Sequence, residues 1–267
     1  MRRLLIRPGG IGDCILCFPA IECLKAAYTE VWTRSDVVPL IRFADRVRSL
    51  ASTGIDLLGL EEIDPPQSLL DELRSFDSIV SWYGSNREEF RAVVTRLGLP
   101  FKFFPALPAA GARVHAADFF LGQAGCIGRA IPRIDCVPAE TRDFAVIHPF
   151  SGSPRKNWPM ERFQELARLI GMPVRWCAGP EEDLGGAVRI GDLYELACWI
   201  RSARVYIGND SGVTHLAAAA GAPVVAIFGP TDPAVWAPRG VRVRVVAGQM
   251  GEIRVERVLG AVRELLI

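Results

Sequence analysis

The sequence has no surplus of charge of either sign: among its 267 residues 31 Lys and Arg face 30 Asp and Glu, a formal net charge of +1. The balance holds along the chain, 16 against 16 over residues 1–139 and 15 against 14 thereafter. No basic arm for nucleic acid is present, so nucleic acid is not an expected partner. There is no run of about 18 apolar residues, and the opening MRRLLIRPGG lacks a long apolar stretch, so neither a membrane-spanning helix nor a secretory leader is expected. No Asp-x-Asp pair stands in a loop suited to holding a metal on a diphosphate. The 7 cysteines fall at irregular spacings that suit neither a disulfide framework nor a zinc site. Cys14 and Cys17 have the C-x-x-C spacing of thiol redox sites, but nothing else supports that chemistry, and they read as small apolar filler. Repeats and low-complexity segments are also missing. What remains is a half-hydrophobic chain, long enough for one large domain or two modest ones, expected in a reducing cytoplasm.

The most informative stretch is Val205–Pro233, VYIGNDSGVTHLAAAAGAPVVAIFGPTDP. Val205–Ile207 is a short run of β-formers, broken by Gly208–Asn209–Asp210; Ser211 suits an N-cap, and Thr214–Ala220 is a small-residue helix ended by Gly221. Val224–Phe228 then reads as a buried parallel strand. A helix joining two parallel strands is a right-handed crossover, which puts the Asp210–Gly212 turn at the carboxyl edge of the sheet, where such folds bind ligands. Ser211, Gly212 and Val213 would offer free backbone N–H groups to a phosphate there, flanked by Asp210 and His215.

The chain opens with a strand, Arg3–Arg7, a glycine loop containing Gly9, Gly10 and Gly12, and a helical pattern over Cys14–Tyr28. A third glycine and an acidic residue closing the next strand are both missing, which argues against a nicotinamide site; Thr33–Arg34 stands where the acid would be. Asp13 sits at the helix start, where the dipole keeps a carboxylate ionised, as an N-cap or as a base. Strands are expected at Glu30–Thr33, Ile55–Leu58, Ser78–Trp82 and Phe101–Phe104, and helices at Val37–Leu50, Leu69–Phe76, Phe90–Leu97 and His115–Gly125. Arg87, Arg91 and Arg96 read as a solvated face, with an anionic-acceptor face as the alternative, and Tyr83–Asn86 as a loop at a strand's carboxyl end, placed to touch an acceptor. Periodicity lapses between Arg129 and Thr141, the expected linker. A second strand–loop–helix begins at Phe144–His148, its loop PFSGSPRKNWP carrying Ser151, Ser153, Arg155 and Lys156, a composition suited to an anion. After the strand Val174–Cys177, Glu181 and Glu182 are placed to accept hydrogen bonds from ribose hydroxyls. Val241–Val246 is a further strand and Ile253–Leu266 an amphipathic helix.

Taken together, GGIGD followed by FPA, the segment from His148 to Trp158–Pro159, the acidic residue past Gly179–Pro180, and DSGVTHLAAAAGAPVVAIFGPTDP resemble glycosyltransferase family 9, the ADP-heptose:lipopolysaccharide heptosyltransferases. The resemblance implies an α/β GT-B arrangement: two facing Rossmann-like doubly wound domains with a cleft between them. An acceptor-binding domain is expected over residues 1–139 and a nucleotide-sugar domain over 140–267, with the C-terminal helix at 252–267 packing back across the interface. It further implies an inverting, metal-independent transferase without cofactor, using an ADP-sugar donor and a glycan or glycolipid acceptor at the inner face of the inner membrane. Asp13 would be the catalytic base and Lys156 the cation on the leaving diphosphate. Donor contacts would come from Ser151, Ser153, Glu182, Asp210, Ser211, Gly212 and His215, with no metal ligands. Two other classes stay open at this point: a nucleotide-sugar-binding protein without transfer activity, and a nicotinamide-dependent oxidoreductase resting only on Gly9, Gly10 and Gly12.

Overall fold

A computed structural model describes residues 1–60, 64–137, 140 and 142–267. The first half runs β1 (Arg2–Arg7), α1 (Ile11–Cys23), β2 (Tyr28–Thr33), β3 (Arg46–Ser49), α2 (Gln67–Arg74), β4 (Ser78–Ser81), α3 (Glu88–Arg96), β5 (Phe101–Phe103) and α4 (Ala116–Gln123). The second runs β6 (Arg142–His148), α5 (Met160–Leu169), β7 (Val174–Trp176), α6 (Leu193–Arg201), β8 (Ala203–Asn209), α7 (Gly212–Ala219), β9 (Val224–Phe228), α8 (Pro233–Trp236), β10 (Val243–Ala247) and α9 (Val255–Leu266). Each half builds a five-stranded parallel sheet, ordered β3-β2-β1-β4-β5 and β10-β9-β8-β6-β7. The central strands are apolar on both faces, as parallel strands covered by helices must be: Leu4–Leu5–Ile6, Val205–Tyr206–Ile207 and Val224–Phe228 are wholly buried. The boundary expected at 139/140 falls beside residues 138, 139 and 141, which lie outside the described residues.

The sheets are held together by helices from both halves. α1 packs on α4 and on α7, and one apolar cluster runs from Ile15 and Phe18 through Phe120 to Leu216 and Ala217. Polar ties support it. Arg239 forms a two-pronged pair with Asp118 (2.5 and 2.6 Å), and His115 Nε2 lies 2.9 Å from the Ala237 carbonyl. The small residues Ala217–Ala220 let α7 sit deep in this seam.

Several expectations need correction. The stretch 37–50 is not a helix: Pro39 allows only a 3-10 turn over Val38–Leu40, and the chain then extends into edge strand β3. That edge carries Arg46 and Arg48, which reach Glu30 and Glu72, a charged rim that suits an unpaired strand edge. Ile55–Leu58 is a 3-10 turn over Ile55–Leu57 rather than a strand, entered through Gly54 at φ +71°. α1 stops at Cys23, because Tyr28 onward is recruited to pair with β1. The closing helix α9 does not cross the interface; it packs on its own sheet against α5, β8, β9 and β10. Finally, one pair of cysteines is joined: Cys23 at the end of α1 and Cys126 beyond α4 form a disulfide, their Cα atoms 6.6 Å apart. A separation of 103 residues leaves no spacing signal, and only the packing of α1 on α4 brings the two together. Cys14 and Cys17 are buried filler as expected, burial pushing the Cys17 thiol up to about 12.

Candidate active site

Each sheet has a switch point, between β1 and β4 in the first and between β6 and β8 in the second, where strand order reverses and a crevice opens at the carboxyl ends. A cleft of about 510 Å³ joins the second of these to the glycine loop of the first domain. It is lined by Gly10, Gly12 and Asp13 from the first half and by Ser151, Ser153, Lys156, Glu182, Asp210, Ser211, Gly212 and His215 from the second. Gly9 alone among the expected positions lies elsewhere: at φ +120° it turns its carbonyl to Arg34 and lines a neighbouring hollow.

The N-termini of α1 and α7 meet at this cleft. A Cβ on Gly12 would lie 2.9 Å from His215 Cδ2, and one on Gly212 would lie 2.8 Å from Ile11 Cβ, so each glycine makes room for the other helix. Both helix dipoles therefore direct their positive ends at one space. Asp13 occupies the first turn of α1, its Oδ2 accepting from Gly10 N at 3.1 Å. At α7, Ser211 caps with its side chain, accepting weakly from Thr214 N at 3.4 Å, while its Oγ and Thr214 Oγ1 lie 3.1 Å apart. The hydroxyl of Ser211 is thus engaged, and the first-turn amides of Gly212 and Val213 have no intrahelical acceptor.

Lys156 reaches the cleft from the loop after β6, and its Nζ lies 2.7 Å from Asp210 Oδ2. Asn209, fully buried, fixes that loop at two points: its Nδ2 donates to Pro149 O at 2.7 Å and its Oδ1 accepts from Trp158 N at 3.0 Å. Trp158 is anchored in turn through Nε1 to Ile253 O at 2.9 Å. Ser151 Oγ lies 2.8 Å from Ser153 O and 2.7 Å from Asn157 Oδ1, a local clasp within the same loop. An ammonium has three N–H donors, so Lys156 held by Asp210 keeps two for another anion.

On the far wall, His148 Nε2 lies 3.0 Å from Glu182 Oε2, which also accepts from Gly179 N at 2.6 Å. Burial alone would raise the Glu182 carboxyl, but the hydrogen bonds from His148 and Gly179 outweigh it and hold the group below the usual range. His215 is buried, and desolvation lowers it to about 4 against the pull of Asp210 and Asp13, leaving a neutral ring between two carboxylates. Among the described residues no group of three or more His, Cys, Asp or Glu is placed to hold a metal ion, and no helix is long and apolar enough to cross a membrane.

Sequence reasoning named most of these positions but missed the supports. Asn209 read only as a strand breaker, though an Asn at a strand end beside a loop that must be pinned was the available signal. Arg34, Thr231 and Trp236 also line the cleft. Thr231 belongs to the GPTDP run; Trp236 lies just beyond it and carried no signal of its own.

Two doubly wound sheets facing a shared cleft, with helix N-termini, a lysine and an acidic residue converging in it, define the GT-B class. The chain belongs to glycosyltransferase family 9 (heptosyltransferase), whose model matches residues 123–258, just over half of it. A curated relative, lipooligosaccharide heptosyltransferase 2 of Haemophilus influenzae, is 27% identical over 128 residues, 38% of this chain and 36% of that protein. The match thus spans only about a third of that relative's length. In structure, the ADP-heptose LPS heptosyltransferase II of Escherichia coli superposes with a TM-score of 0.76 at 17% identity, covering 100% of this chain and 98% of the other. An E. coli heptosyltransferase solved with ADP superposes at 0.72, with 17% identity and coverage of 99% and 100%. At such identity these likenesses establish the fold.

Proposed function

We propose that this protein transfers a sugar, heptose by family, from an ADP-sugar to a glycan or glycolipid hydroxyl, with inversion and without a metal. The convergence of both helix N-termini, Lys156 and Asp13 on one cleft carries the proposal. The diphosphate would lie on the Gly212 and Val213 amides, with Lys156 at its oxygens and Glu182 at the ribose hydroxyls. The charge that builds on the leaving diphosphate is then met by a lysine and two helix dipoles already in place. Asp13 takes the proton from the acceptor hydroxyl as that oxygen bonds to the anomeric carbon and the bond to ADP breaks. The described residues carry two features against the oxidoreductase alternative: His215 packs directly on Gly12 of the glycine loop, and Arg34 rather than an acid follows β2. Peripheral contact with the inner membrane belongs to the same proposal through its glycolipid acceptor.

The test is Asp13→Asn, assayed with ADP-heptose and a panel of glycan acceptors. Asn retains the capping acceptor, so folding and ADP binding should persist while turnover falls by roughly 10²–10⁴-fold. Transfer at close to the wild-type rate overturns the assignment of the base. ADP binding with no turnover by the wild-type chain on any acceptor favours a binding protein instead.

A further inference from the structure

The Cys23–Cys126 bond lies where the chain leaves the first domain, and a second pair of cysteines lies where it enters the next. Cys126 follows α4, and residues 127–135 cross from it to Cys136, which docks on α6 of the second domain. Tyr194 donates its hydroxyl to Asp135 O at 3.2 Å, and Arg201 Nη1 donates to Cys136 O at 3.1 Å. Tyr194, Cys198 and Arg201 stand at i, i+4 and i+7 of α6 and so share one face. The two anchors set Cys136 over Cys198, and the two thiols hydrogen-bond to each other. Arg42 of the first domain stacks on the Tyr194 ring at 4.4 Å, so this face of α6 borders the domain seam. Between the pairs the crossing is held by hydrogen bonds. Ala130 N donates to Asp118 of α4, Ala130 O accepts from Arg239, and Ile134 N donates to Ala219 O at the end of α7.

The two thiols of the second pair differ in access. Cys136 is 6% exposed; burial first, and the neighbouring Cys198 next, push it up to about 12, so it stays protonated. Cys198 is half-buried, and an external disulfide can reach it. We propose that Cys136 and Cys198 form a second disulfide under oxidation, which makes the interdomain crossing a redox-sensitive tether fixed covalently at both ends. Cys198, as thiolate, attacks one sulfur of a small-molecule disulfide such as oxidised glutathione. A mixed disulfide forms, and the small thiolate released takes up the proton that Cys198 gave up. Cys136 then attacks the Cys198 sulfur and expels the second small thiolate, which takes the Cys136 proton. Contact between the two groups makes this step intramolecular, which offsets the weak acidity of Cys136. Two protein thiols are oxidised and one small disulfide is reduced to two thiols; excess thiol reverses the sequence. The tether rests on the fold and the cysteine positions, not on the proposed transfer.

The test equilibrates the folded full chain with excess oxidised glutathione, quenches with acid, alkylates in denaturant and weighs the product. Only Cys14, Cys17 and Cys177 should be alkylated in the wild type, and peptide mapping without reductant should join Cys23 to Cys126 and Cys136 to Cys198. Cys136→Ala should trap the first step, leaving glutathione on Cys198. Cys198→Ser should leave Cys136 alkylated and free of glutathione. Amide hydrogen exchange then reads the tether: across residues 127–135 the oxidised wild type should exchange at least about threefold more slowly than oxidised Cys198→Ser, in which only the first pair can close. Alkylation of both Cys136 and Cys198 in the oxidised wild type would overturn the inference, as would glutathione left on wild-type Cys198 or Cys198 joined to another cysteine. Equal exchange across the crossing in the two oxidised proteins would refute its role as a tether.

Discussion

The edge of the His215 ring lies against Gly12 so closely that a Cβ there would come within 2.9 Å of Cδ2, tying the first helix of one domain to the first turn of the other's central helix. On the facing side a Cβ on Gly212 would meet Ile11 Cβ at 2.8 Å. This reciprocal contact sets where Asp13 stands relative to the α7 amides.

Alanine at either glycine should therefore destabilise, against the intrinsic preference of a helix for Ala. Propensity favours the change by about 1 kcal/mol, whereas overpacking costs about 1–3 kcal/mol. Gly212→Ala should be the worse of the two, because Ile11 Cβ is fixed to backbone while an imidazole ring can tilt. Thermal denaturation of both variants checks this; equal or raised melting temperatures would mean that the seam gives way.

Acid should unfold the protein through its buried histidine. His215 is held down to about 4 by burial, whereas an unfolded histidine titrates near 6.5. The unfolded chain thus binds the extra proton between those values, and stability falls as pH drops through that window, by up to about 1.4 kcal/mol per pH unit for this one group. His115, also lowered mainly by burial, adds to the same slope. Glu182, held below its usual range, contributes stability that is present above the unfolded carboxyl value and lost on further acidification. Denaturant midpoints from pH 7 to pH 4 should show the decline, shallower in His215→Asn; a flat profile over this range would contradict the burial of a neutral ring.

Asn209→Ala should loosen the Lys156 loop without touching any ligand. It leaves Trp158 N without its acceptor and Pro149 O without its donor, each costing on the order of 1–3 kcal/mol if left buried. ADP affinity should fall along with stability. Asn209→Asp keeps an acceptor for Trp158 N but sets a carboxylate oxygen against Pro149 O in a fully buried position, so it should destabilise at least as much as Asn209→Ala. An Asn209→Ala chain binding ADP as the wild type does would show that Lys156 is placed by other contacts.

The second half of the fold was the more legible. There each strand is a run of β-formers closed by Gly, Asn or Asp, and the phosphate-type turn at Asp210–Gly212 declares itself through Ser211 and the small-residue helix behind it. The first half misled at 37–50, where apolar residues fall at helical spacing by chance and Pro39 was the signal to heed. At the site, residues with chemistry could be named from local pattern, but their partners could not. The 2.7 Å meeting of Lys156 with Asp210 joins residues 54 positions apart, and the Gly12–His215 contact depends on how two domains dock. Asn209 and the Cys23–Cys126 bond belong to the same class of long-range fact.

The most direct measurement is calorimetric titration of ADP into the intact wild-type chain and into Lys156→Ala. If the cleft holds a nucleoside diphosphate, the wild type binds one ADP per chain saturably. Loss of one charge-assisted contact, about 1.5–3 kcal/mol, should weaken the variant roughly 10–100-fold. No saturable heat with the wild type, or the same affinity in both proteins, would contradict the assignment of this cleft to the donor.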